Sequence, residues 1–272
     1  MVRSLWTGAT GMIAQQNNID TIANNLSNVN TVGYKTEVNE FKSLLYQNLQ
    51  TRTTTANGDP KPTGAQVGLG VRNSSIASLF KQGSLLASDS NSAFAIEGDG
   101  FFQVRGEDGN TYYTRNGNFQ WALNNGGGLV LATSDGLPVL DSAGKEIALP
   151  AGYMSSRITV SASGEICYPD ADNNLQSLGI TIGVVQFNNP AGLEKIGGTM
   201  YQQTAASGVP VNEATSNAVE PSKVVQGYLE GSGVQVADEM VNMIVAQRAY
   251  EMNSKIIQAS DEMLQQANNL RK

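Results

Sequence analysis

Four groups of residues in this chain have types and spacings that could do chemistry: Cys167, the carboxylate pair Glu97 and Asp99, the acidic turn 170–175, and the glycine turn 68–73. A cysteine nucleophile needs a base beside it, and this chain of 272 residues contains no histidine. The same absence removes the commonest transition-metal ligand. One cysteine can make neither an internal disulfide nor a thiolate cluster, so Cys167 reads as a small, half-buried apolar residue. Glu97 and Asp99 could suggest glycosidase chemistry, but spacing along a chain does not set the separation of two carboxyls in space, and Asp-Gly turns are ordinary. Asp170-Ala171-Asp172-Asn173-Asn174-Leu175 begins like a calcium loop. It fails where that loop needs glycine, at Leu175, and where it needs a bidentate glutamate, at Thr181. Gly68-Leu69-Gly70-Val71-Arg72-Asn73 starts like a dinucleotide turn, yet Asn73 stands in place of the third glycine and no strand–helix–strand pattern follows. The residues therefore predict no catalytic, metal or cofactor-binding site, and no enzyme.

Bulk composition narrows the partners. A net charge of −7 and a pI near 4.7 leave nothing to neutralise a run of phosphates, so nucleic acid is excluded as a partner. Hydrophobic content of 40% with 29 glycines predicts a core cut by many turns. The first residues, Met1-Val2-Arg3-Ser4-Leu5-Trp6-Thr7-Gly8, lack the apolar stretch of a secretory signal, and no run of apolar residues is long enough to span a bilayer.

With chemistry set aside, the longest patterned stretches carry the information. From Val236 to Leu270, Val241, Val245, Ala249, Met252, Ile256, Ala259, Met263, Ala267 and Leu270 recur at gaps of 4, 4, 3, 4, 3, 4, 4 and 3, one apolar stripe on a helix without glycine or proline. At ~1.5 Å per residue such a helix is roughly 50 Å long. A second series through Met240, Met243, Gln247, Tyr250, Ser254, Ile257, Asp261 and Leu264 lies nearly opposite, so one partner helix cannot cover both sides. The first element mirrors the last: Leu5, Ala9, Met12, Gln16, Ile19, Ala23 and Leu26 form a heptad seam. The remainder of that helix carries uncharged amides and hydroxyls where a solvated helix normally carries Lys and Glu.

Asn28, Asn30 and Gly33 stop this helix, Asn30 and Gly33 being residues that tolerate positive φ. From 37 to 49 a short apolar pattern suggests a strand or helix piece, and 51–70 is rich in Thr, Gly, Pro and Asn, with Asn57-Gly58-Asp59-Pro60 as a turn. The period then becomes that of strands: 101–105, 111–115, 118–123, 129–133 and 180–187 are separated by Gly, Asn and Asp turns. Pro221, Gly227, Gly231 and Gly233 punctuate a second joint before the final helix. The predicted fold is α+β. Residues 1–35 and 221–272 supply two helices paired as a coiled-coil-like domain, 36–70 an extended hairpin or linker, and 71–220 an antiparallel β domain.

Several of these stretches resemble a known family. Asn24-Asn25-Leu26-Ser27-Asn28-Val29-Asn30-Thr31-Val32-Gly33-Tyr34-Lys35 is similar to the N-terminal signature of bacterial flagellar rod and hook proteins. So are Ala95-Ile96-Glu97-Gly98-Asp99-Gly100-Phe101-Phe102 with Tyr113-Thr114-Arg115-Asn116-Gly117, and Gln226–Val234 with Asp238-Glu239-Met240-Val241 and Gln247–Glu251. Two local departures stand out: Asn91-Ser92-Ala93-Phe94 ahead of the central motif touches loop detail only, and Gly233, where the family has Asn, implies a more flexible entry into the final helix. Arg3–Thr7, Gly11–Gln16 and Glu40–Gln47 resemble one of the rod members, another rod member or a hook subunit being the alternative. The resemblance implies a structural subunit that assembles with copies of itself into a hollow helical drive shaft. It further implies other rod proteins and hook or hook-cap proteins as partners, together with peptidoglycan and outer-membrane bushing rings. It also implies export through the flagellum's type III apparatus. On that reading the assembly surfaces are the heptad residues of the first helix and Val241, Val245, Ala249, Tyr250, Met252, Ile256, Ile257, Met263 and Leu264 of the last, with Asn24, Asn25, Asn28, Asn30, Gly33 and Tyr34 as the signature turn. A secreted β-domain binding module on a helical stalk is the reading from another class.

Overall fold

The structure is a computed structural model describing residues 2–50, 64–124, 126–170, 174–216 and 219–270. The Asn57–Pro60 turn and positions 171–173 of the calcium-like loop lie outside them. The chain forms two compact units: one from 1–27, 37–77 and 235–272, the other from 28–36 and 78–234. The β unit thus takes in the turn after the first helix and the second joint, which the sequence divisions place with the helices.

In the first unit, helix α1 spans Val2–Ser27 and helix α2 spans Val236–Asn269, 34 residues with Asp238 and Glu239 in its first turn, where the helix dipole favours acidic groups. The two pack together with opposite chain directions, Ser4 Oγ lying 3.1 Å from Ser260 Oγ. Glycine permits the approach: a Cβ on Gly8 would sit 3.0 Å from Ile257 Cγ1, and one on Gly11 2.8 Å from Asn253 Nδ2. The 37–49 pattern forms two strands, Glu37–Ser43 and Tyr46–Gln50, which pair with Val71–Ser78 and Ala65–Gly68 respectively. Phe41, Leu45, Tyr46 and Leu49 stay exposed on this two-stranded arm, and an isolated pair of strands is marginal without cover.

The second unit is antiparallel β. Its largest sheet runs Glu194–Gly197, Met200–Gln202, Thr111–Thr114, Phe101–Arg105, Val184–Gln186, Val211–Asn212 in spatial order. Alternation along a strand sends neighbours to opposite faces, and both faces are buried here. Phe102 and Val184 enter a core with Phe94, Phe119, Leu131, Ile147 and Ile166, while Phe101 and Val185 enter a second with Tyr113, Phe187 and Tyr201. Edge-on aromatic contacts bind each core, Phe102 to Phe119 at 5.1 Å and Tyr113 to Phe187 at 4.8 Å between ring centres. Strands at Phe101–Arg105, Thr111–Thr114, Phe119–Leu123 and Leu129–Thr133 fall where the sequence pattern puts them. The apolar run 180–187 instead divides into Leu175–Thr181 and Val184–Gln186. At the break, Ile182 N–H donates to Gly164 O and Gly183 N–H to Leu140 O, so the chain leaves one sheet and joins another.

Candidate assembly surface and signature turn

Packing α1 on α2 does not use their most apolar faces. On α1 the buried residues are Gly8, Ala14, Thr21, Ile22 and Asn25, and Ser4, Gly11, Gln15 and Asn18 are half-buried; all but Ala14 and Thr21 lie one residue before the heptad read from the sequence. Leu5, Ala9, Met12, Ile19 and Leu26 are half-buried beside them, and Gln16 and Ala23 are exposed. Trp6 and Ile13, one heptad apart, are also exposed. On α2 the inward positions are Glu239, Met243, Ala246, Asn253, Ile257, Ser260 and Leu264. The long stripe faces away: Val241, Val245, Met252, Ile256 and Met263 are between 46% and 64% exposed, and only Ala249 of the stripe is half-buried. Tyr250 is exposed, whereas Ile257 and Leu264 are partly covered by the helix pair. Between the helices, small and polar residues alternate with Ile22, Met243, Ile257 and Leu264, while the apolar stripe of α2 stays in water, unlike the core-facing stripe of a self-sufficient helical domain.

The signature turn is a set of fixed hydrogen bonds. Asn25, 1% exposed, uses both ends of its amide on one backbone residue: its Oδ1 accepts from Glu37 N–H at 2.9 Å and its Nδ2 donates to Glu37 O at 2.8 Å. The amide thereby acts as a strand partner for the first residue of the arm. Asn24 Nδ2 donates to Glu37 Oε2 at 3.3 Å. Thr31 returns to Asn28 through its backbone N–H and through its hydroxyl, each at 3.1 Å. Gly33 has φ +70°, and a Cβ there would meet the backbone of Arg115 and Asn116 at 2.7 Å, so glycine is required for two reasons. Asn30 is exposed and does not take positive φ, unlike the expectation for it. Tyr34 is half-buried, and its carbonyl accepts from Gly233 N–H at 3.0 Å.

Three ionised groups beside this turn escaped the sequence reading. Lys35 Nζ lies 2.6 Å from Glu230 Oε1, and Arg115 Nη1 lies 3.5 Å from Glu230 Oε2, with every one of these side chains no more than 2% exposed. Burial lowers the affinity of Lys35 and of Arg115 for a proton, and the Glu230 carboxylate works against that in both. Arg115 also stacks over the Phe101 ring, 4.9 Å from its centre. The motifs holding these residues are visible in sequence, but nothing local announces that they meet.

Cys167 is half-buried with its Sγ 3.8 Å from Glu165 O. Gly68 ends one strand and Val71 begins another, with no helix after the turn. Among the described residues no three His, Cys, Asp or Glu gather as a metal would require, and no helix is long and apolar enough to cross a membrane.

Three family models match the chain: "Flagella basal body rod protein" over 5–35, "Flagellar hook protein FlgE/F/G D1 domain" over 95–168, and "Flagellar basal body rod FlgEFG protein C-terminal" over 225–270. The chain is 43% identical over 274 aligned residues to the flagellar basal-body rod protein FlgG of Borreliella burgdorferi, covering 100% of both. It is 41% identical to the FlgG of Buchnera aphidicola subsp. Acyrthosiphon pisum, covering 99% of this chain and 100% of that one. Against the FlgG of Bacillus subtilis it is 36% identical with 100% of both covered.

Proposed function

Since this chain belongs to the flagellar basal-body rod protein family, we infer that its two terminal helices are assembly surfaces through which copies join helically into the hollow distal rod. The protein is a structural subunit of the flagellar rod and not an enzyme, and its place is the flagellar basal body. On this reading α1 and α2 pair as an inner, coiled-coil-like element, and Val241, Val245, Ala249, Tyr250, Met252, Ile256 and Met263 meet neighbouring copies. Leu5, Ala9, Met12, Ile19 and Leu26 contribute from α1, and Ile257 and Leu264 serve the contact between the helices. A helical polymer needs two different patches per subunit that join without closing. The further partners are other rod proteins, the hook or hook-cap proteins, and the peptidoglycan and outer-membrane rings that bear the rod in the periplasm. Export runs through the type III apparatus.

One observation supports this reading above the rest: the apolar stripe of α2 lies outside the helix pair. Its test is Ile256→Asp, which sets a charge in the middle of the stripe. Cells carrying it should build no distal rod in electron micrographs, while the purified variant keeps the β-sheet circular dichroism of the parent. Normal rods built from Ile256→Asp subunits would overturn the assignment.

A further inference from the structure

Glu230 contacts several separate segments of the β unit at once. Its Oε1 accepts from Lys35 Nζ at 2.6 Å and from Gly83 N–H at 2.9 Å, its Oε2 faces Arg115 Nη1 at 3.5 Å, and its backbone carbonyl accepts from Gly33 N–H at 2.8 Å. Lys35 Nζ also donates to Lys81 O at 2.8 Å. Around these contacts, three backbone segments are tied to each other: Leu79 N–H to Thr36 O at 2.8 Å, Gly231 N–H to Ser84 O at 2.7 Å, and Gly233 N–H to Tyr34 O at 3.0 Å. The segments 28–36, 79–84 and 230–233 are the parts of the β unit that adjoin the points where the chain passes to the helical unit, after 27, 36, 77 and 234. These three segments therefore meet around one buried carboxylate.

We propose that Glu230 is a latch: its ionised carboxylate fastens the strap 28–36 to the β unit and ties the three exit segments into one block that opens and closes together. The charge count gives the latch its character. Two buried cations share one buried anion, so loss of the carboxylate leaves both without an ion-pair partner and only the more distant Asp99 and Glu213 to offset them, whereas loss of Lys35 leaves a balanced Arg115–Glu230 pair. Nothing in the family comparison assigns such a role, and the latch does not depend on the assembly reading, because it is tested in the unassembled chain.

Amide hydrogen exchange on the full-length monomer reads it directly. Glu230→Gln keeps the shape and an acceptor for Gly83 but removes the charge. The amides of Gly33, Leu79, Gly83, Gly231 and Gly233 should all exchange faster, by roughly 10- to 100-fold, the range for losing charge-assisted hydrogen bonds, while amides of the Phe102 and Leu131 strands hold their protection. Lys35→Met should free only the strap, raising exchange at Gly33, Leu79 and Gly233 and leaving Gly83 and Gly231 protected. If Glu230→Gln changes Gly83 alone, the carboxylate is a local cap and the latch is wrong. Should that variant fail to fold, Lys35→Met decides: strap amides as protected as in the parent would overturn the proposal.

Discussion

Among the described residues, Thr199 is the non-glycine residue whose backbone sits in the left-handed region, with φ 61°. A β-branched side chain is ill suited to that conformation. The position is pinned from both sides: glycines with positive φ precede it, and Thr114 Oγ1 donates to its carbonyl at 3.0 Å. Thr199→Asn keeps a side chain but removes the branch, and is expected to stabilise the β unit by about 1 kcal/mol. A thermal or denaturant melt checks this, and an unchanged or lower midpoint would refute it. At this scale the sequence is uneven in what it discloses. Gly33 could be singled out because glycine after a helix has few roles, and Asn25 because it belongs to a recognisable signature. Lys35, Arg115 and Glu230 could not, since 195 residues separate the first from the last and the contact exists only after three segments fold.

Among the elements, α1 shows where periodicity misleads. Counting apolar residues finds the heptad Leu5 to Leu26, yet the partner helix seats on Ser4, Gly8, Gly11 and their heptad mates, one residue earlier. Apolar spacing identifies the sticky face of a helix; close approach is governed by small residues, which carry little hydropathy signal. The start of α2 gives a pH-dependent consequence. Burial raises the proton affinity of the Glu239 carboxyl, Asp238 adds to the effect, and the hydrogen bond from Asn25 only partly opposes it. A carboxyl with a raised folded pKa binds more protons in the folded state, so its contribution is fullest below its ordinary value of 4.5 and is lost as pH climbs through the folded value. The helical circular dichroism of the monomer should therefore become less heat-resistant as pH rises above that value. In Glu239→Gln this dependence should flatten. A parent protein whose helices grow firmer over the same interval would contradict the sign.

For the molecule as a whole, the two units differ in what holds them. The β unit has two aromatic and aliphatic cores. The helical unit joins its helices through a mixed seam, with Ser4, Gly8, Gly11, Asn253 and Ser260 beside a few apolar residues such as Ile22, Ile257 and Leu264. Limited proteolysis of dilute monomer is therefore expected to trim α1 and α2 and leave a fragment close to 78–234, with loss of helical but not β-sheet dichroism. Helices as resistant as the β core would count against this. The α+β organisation, the two long helices and most strands of the first β half were legible from period and turn residues. The division into units was not, because the strap 28–36 follows a helix in sequence but folds with the strands. The outward stripe of α2 has a kinetic corollary. Two free copies must order both sets of weakly held helices before either stripe is covered, whereas a copy adding to a formed end meets a template already in place. On the proposed assembly reading, growth should be seeded: purified subunits are expected to show a lag that preformed rod ends abolish, and lag-free growth would count against that reading.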